Sequence, residues 1–101
     1  MSQINLAMIN RAGVAALPLV VAKLLPGGKI FGRDYIARDM RRTDRGPGSF
    51  KIKLFGAHAG TWADFATGDR GGDPVSLVAY LERMSQADAA RLLAGMLGIA
   101  P

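Results

Sequence analysis

Trp62-Ala63-Asp64-Phe65-Ala66-Thr67-Gly68-Asp69-Arg70-Gly71-Gly72-Asp73-Pro74-Val75-Ser76-Leu77 reads as a strand end, a glycine-punctuated turn and the start of a helix. The strand, about Thr61 to Ala66, is aromatic and short. Asp73 is placed to cap a helix whose first position is Pro74, a residue whose missing N–H costs nothing there. Val75, Leu77, Val78 and Leu81 then recur on one helical face. A second helix opens at the Ser85/Asp88 capping pair, runs through Leu97 with Ala89, Ala90, Leu93 and Met96 as apolar positions, and stops at Gly98.

Working back toward the amino end, Gly56-Ala57-His58-Ala59-Gly60 is a turn that precedes this strand. Before it, Ser49 to Phe55 and Lys29 to Arg38 read as two strands joined by an arginine-rich loop turning at Gly46-Pro47-Gly48. The first 25 residues are helical. Ile4, Met8, Ile9 and Ala12 share a face, Pro18 breaks the helix near Leu17, and Leu19 to Leu25 forms a second short helix ended by Pro26-Gly27-Gly28. The expected architecture is α+β: a small three-stranded antiparallel sheet packed against amino-terminal and carboxyl-terminal helices, in one domain spanning residues 1–101. That length supports a single core.

The apolar run Ala12 to Ala22 is eleven residues long, contains Pro18 and is closed by Lys23. It is too short for the roughly 20 residues that span a bilayer, and no cleavage-like site follows, so a core helix and a cytoplasmic location are expected. The chain has no cysteine and one histidine, His58, which leaves neither a disulfide framework nor the four ligands of a structural zinc site. It also lacks a phosphate-binding G-x-x-x-x-G-K-[ST] run and any Ser-His-Asp or Cys-His set. Asp64, Asp69 and Asp73 are spread over a strand, a turn and a helix cap, a poor magnesium constellation. The expected protein is non-catalytic, without metal or cofactor.

Charge is unevenly placed. Residues 29–53 hold eight basic and three acidic side chains, while the rest of the chain holds five of each, so the whole net charge of +5 lies in the middle segment. Such a field attracts phosphate backbones and makes binding salt-dependent. Strand alternation sharpens the point: burying Phe50, Ile52 and Leu54 exposes Lys51, Lys53 and Phe55. In a continuous first strand, Ile30, Gly32 and Ile36 inward would leave Phe31, Arg33 and Tyr35 outward beside the lysines. Cations interleaved with rings can neutralise phosphates and stack unpaired bases. Phe31, Tyr35 and Phe55 are equally compatible with core positions, and Arg38 to Arg45 with a solvated loop.

Trp62 to Phe65, Gly71-Gly72-Asp73 and Ser85 to Leu97 together resemble the strand-turn-helix segment of the zinc-ribbon domain of bacterial, phage and plasmid primases, in a form without the family's cysteines. Gly32 to Asp39 and Pro47 to Leu54 more loosely resemble the amino-terminal part of phage primase-helicases. The resemblance covers roughly the second half of the chain. It implies a template-binding or accessory domain, free-standing or amino-terminal to a longer protein, that binds single-stranded nucleic acid, with DNA the expected kind, and that works with a primase, polymerase or helicase chain. Residues expected to contact nucleic acid are Arg33, Tyr35, Arg38, Arg41, Arg42, Arg45, Lys51, Lys53 and Arg70. Gly71-Gly72-Asp73-Pro74 is open to two uses, a phosphate cradle or a self-capped helix start, and the second is favoured because the Asp73 carboxylate occupies the same donors and repels an anion. Two other functional readings stand beside nucleic-acid binding: a module docking a replication protein through its apolar helices, and a small phage-encoded inhibitor of a host enzyme, which the basic charge disfavours.

Overall fold

A computed structural model describes residues 4–39, 41 and 49–100. The Arg42 and Arg45 contacts and the Gly46-Pro47-Gly48 turn expected above lie outside the described residues. Helix α1 (Leu6–Ala15) is capped by the Asn5 side chain, which accepts the Met8 N–H at 3.0 Å. It breaks at Ala16, and α2 (Leu17–Leu24) leaves at 91° to it with Pro18 in its first turn. No single helix among the described residues is long and apolar enough to cross a membrane. Both helices bury apolar faces, Ile9 in α1 and Leu17, Val20, Val21 and Leu24 in α2.

Five short strands follow in an antiparallel meander: β1 (Lys29–Phe31), β2 (Asp34–Ala37), β3 (Phe50–Lys53), β4 (Trp62–Asp64) and β5 (Asp69–Gly71), lying side by side in chain order. The chain ends in α3 (Pro74–Glu82) and α4 (Gln86–Leu97), the latter capped by Ser85 and stopped by Gly98 in the left-handed conformation. These two helices pack on each other and on α1. The α+β class is as expected, but the sheet is five-stranded, not three-stranded.

Both extra strands have local causes. Phe31 pairs with Asp34 across a two-residue turn, Gly32-Arg33, with Gly32 at φ +62° and Arg33 at negative φ. This fits a type II′ hairpin, whose first central residue is glycine and whose twist matches the flanking strands. The expected continuous strand is therefore two strands. At the other edge, Asp64 pairs with Asp69 around a loop closed by Gly68, whose N–H donates to the Asp64 carbonyl at 2.8 Å. The polar Asp69-Arg70-Gly71 run has no hydrophobic alternation, yet it forms a strand because it completes the ladder to β4.

One sheet face is core. Tyr35, Ala37, Phe50, Ile52, Leu54, Trp62 and Asp64 are buried on it. Trp62 lies against Phe50 and Tyr80, with ring centroids 5.9 and 4.8 Å away, which joins the sheet to α3. The indole N–H donates to Ser76 Oγ at 3.0 Å. Gly71 is the partner of Trp62 in the ladder, and a Cβ there would lie 2.4 Å from the indole nitrogen. Only glycine lets β5 close over the ring.

Adjacent glycines thus have opposite tolerances. Gly71→Ala is expected to lower stability by about 2–3 kcal/mol through overpacking, whereas Gly72→Ala, with nothing within 4 Å of its new methyl, stays within about 0.5 kcal/mol of wild type. Urea unfolding of the two variants measures the contrast.

Candidate nucleic-acid interface

The reverse face of the sheet is built by the same ladder. Directly opposed residues share a face, so the pairs Lys29↔Ile36, Ile36↔Lys51, Lys51↔Ala63 and Ala63↔Arg70 form one cross-strand row of three cations spaced by two small or aliphatic residues. Strands stand about 4.8 Å apart, which puts Lys51 about 10 Å from each flanking cation along the row. A neighbouring row is Phe31, Asp34 and Lys53. Beyond Ala63, Phe65 continues the alternation; its N–H donates to the Ser49 carbonyl at 2.7 Å, and the residue is 68% exposed. Phe31 is 58% exposed at the opposite edge. Lys51, Lys53, Arg70 and Phe65 help to line a concavity of about 430 Å³ on this face.

Of the residues expected to contact nucleic acid, Lys51, Lys53 and Arg70 therefore meet on one surface. Arg33 is exposed in the β1–β2 turn, at the rim, and Arg38 is exposed just past β2. Two expectations are corrected. Tyr35 is 5% exposed and faces the core, because the Gly32-Arg33 hairpin shifts the strand frame and turns Tyr35 in and Ile36 out. Its hydroxyl donates to the Leu25 carbonyl at 2.6 Å and accepts the Gly28 N–H at 3.1 Å. Gly28 lies so close to the ring that a Cβ would meet Tyr35 Cζ at 2.3 Å. Arg41 is the second correction. Its guanidinium donates to the Leu24 carbonyl at 2.8 Å, closing the end of α2, and pairs with Glu82 of α3 and with Asp39. It ties elements together.

Lys29, Phe31 and Phe65 were missing from the expected set. For Phe65 the alternation Trp62 in, Ala63 out, Asp64 in was a sufficient signal. Phe31 was already expected outward by strand alternation, and Lys29, two residues before it, shares that side; the hairpin keeps both on this face and removes Tyr35 from it.

The glycine-rich turn is structural. Ser76 N–H donates to Asp73 Oδ1 at 2.8 Å while the Asp73 N–H reaches Ser76 Oγ, a reciprocal capping box. The Val75 N–H donates to Asn10 Oδ1 of α1 at 2.9 Å, and Pro74 has no N–H. The first turn of α3 thus offers no unpaired donor to an anion among the described residues. Asp64 and Asp69 oppose each other in the ladder, and the Tyr80 hydroxyl contacts both, at 2.7 and 2.9 Å. Asp73 is engaged in its cap, and no group of three metal-ligating side chains is present among the described residues. Burial raises the Tyr80 pKa above the usual value, and the hydrogen bonds to Asp64 and Asp69 add to this against an opposing one from Thr67. The native state therefore holds this proton more tightly than the unfolded chain, a contribution intact below about pH 10 and lost as pH rises through the native pKa. His58 is exposed, in the turn where the sequence placed it.

No protein-family model matches the chain, and no curated protein matches it.

The reassignment of Tyr35 is checked by Tyr35→Phe. Loss of the two hydroxyl contacts is expected to lower stability by about 1–2 kcal/mol in urea unfolding, and to leave the affinity for any ligand of the outer sheet face unchanged.

Proposed function

We propose that this domain binds single-stranded nucleic acid across the outer face of its sheet. The observation that carries this is the uncovered row Lys29, Lys51 and Arg70, flanked by Lys53 and by the exposed rings of Phe31 and Phe65. The helices pack on the other face, so these side chains meet solvent. Ammonium and guanidinium groups along a row neutralise successive phosphates, and rings at the edges stack bases that are not already stacked in a duplex. Duplex DNA presents no free base faces to Phe31 or Phe65, so single strands bind in preference.

The likeness of the Trp62–Phe65, Gly71–Asp73 and Ser85–Leu97 segments to primase zinc ribbons supports a narrower reading: a template-binding or accessory domain acting beside a primase, polymerase or helicase, with DNA as its ligand. In that reading the packed Phe50, Trp62 and Tyr80 rings replace the cross-link that zinc supplies in the ribbon. No group in the chain is assigned a catalytic role.

Fluorescence anisotropy with a labelled 12-mer tests the proposal. Single-stranded DNA is expected to bind more tightly than duplex, with log affinity falling against log salt by about 0.7 per phosphate neutralised. Lys51→Ala/Lys53→Ala lowers that slope by about 1.4. Lys51→Glu/Lys53→Glu abolishes binding while circular dichroism stays native. Undiminished binding by the folded charge-reversed protein refutes the proposal.

A further inference from the structure

The outer sheet face carries one acid among the described residues, Asp34, in the row between Phe31 and Lys53. On a surface meant only for phosphates, a carboxylate is a defect. Asp34 Oδ2 is held by Lys51 Nζ at 3.2 Å. Its Oδ1 is closed to solvent and has no hydrogen-bond partner among the described residues. A buried acceptor left unmatched is costly, and structures rarely keep one without a use.

We propose that Asp34 is the base-reading residue of this face and selects nucleotides whose bases carry an exocyclic amino group. The inference rests on the nucleic-acid reading above. A carboxylate oxygen only accepts, and a phosphodiester has no N–H or O–H to offer, so the backbone cannot satisfy Oδ1. Cytosine, adenine and guanine each present an amino donor. Thymine and uracil present a single ring N–H between two carbonyl oxygens, whose lone pairs repel the carboxylate. Access follows from the phosphate contacts themselves: Lys51, whose ammonium holds Oδ2, lines the same concavity on a long flexible stem, and reaching outward to a phosphate draws it away from Asp34. Phe31, directly opposite Asp34 in the ladder and exposed, offers the ring on which the selected base stacks while its amino edge meets Oδ1.

The test compares dC12 with dT12, two pyrimidine strands that differ at the amino group, by anisotropy against wild type and Asp34→Asn, with circular dichroism to verify folding. Wild type is expected to bind dC12 about tenfold more tightly than dT12, the worth of a hydrogen bond to a charged acceptor. In Asp34→Asn the affinity for dT12 rises, because a negative charge has left the phosphate path, and the ratio collapses toward one. Equal wild-type affinities, or a preference that survives in Asp34→Asn, overturn the role of Asp34 and leave the binding face standing. Binding of neither strand overturns the face and the inference together.

Discussion

Burial of Phe50, Ile52 and Leu54 is the constraint on which the rest of this molecule depends. Phe50 and Ile52 of β3 and Leu54 just past its end lie on one side and are at most 2% exposed. Because a strand alternates faces at every residue, their burial leaves Lys51 and Lys53 no other place than the opposite side. A slip of one residue would bury two ammonium groups and expose a phenylalanine, an isoleucine and a leucine, so the register is strongly fixed. The cationic face is a consequence of core formation. The ladder then carries the same logic outward in both directions, setting Ile36 and Lys29 on one flank of Lys51 and Ala63 and Arg70 on the other.

The core face is closed by a different device. Trp62 fills the space between Phe50, Tyr80 and Gly71, and its N–H is satisfied by Ser76, the same residue that completes the capping box with Asp73. One serine thus serves the helix cap and the indole. The spacing from Gly71 to Ser76 holds β5, the turn and the start of α3 in one arrangement, and Asn10 brings α1 to the same point through the Val75 N–H. The start of α3 is therefore a self-capped helix end, with the Asp73 carboxylate and the Val75 and Ser76 N–H groups engaged internally.

Much of this was legible in the residues alone. Asp73, Pro74, Ser85 and Gly98 marked the ends of the last two helices because capping is a local event with local chemistry. The alternation in Ser49 to Phe55 placed Lys51 and Lys53 on the face opposite Phe50 and Ile52, as the ladder has them. What failed depended on pairing that neither apolar alternation nor a capping residue announces. The frame of Tyr35 depends on a two-residue hairpin at Gly32-Arg33, hidden in a run that also reads as one strand. The short strand Asp69–Gly71 has no apolar pattern and owes its form to β4. Arg41 resembled its neighbours in a basic segment, and only the folded chain brings the Leu24 carbonyl and Glu82 to it.

The most direct test of the account is a carbon-resolved aromatic NMR titration of the protein with a single-stranded 12-mer. If bases stack on the outer sheet face, the ring resonances of Phe31 and Phe65 shift upfield with saturating dependence on the oligonucleotide while those of buried Phe50 and Trp62 stay in place. Unmoved Phe31 and Phe65 resonances in the presence of bound oligonucleotide would contradict it.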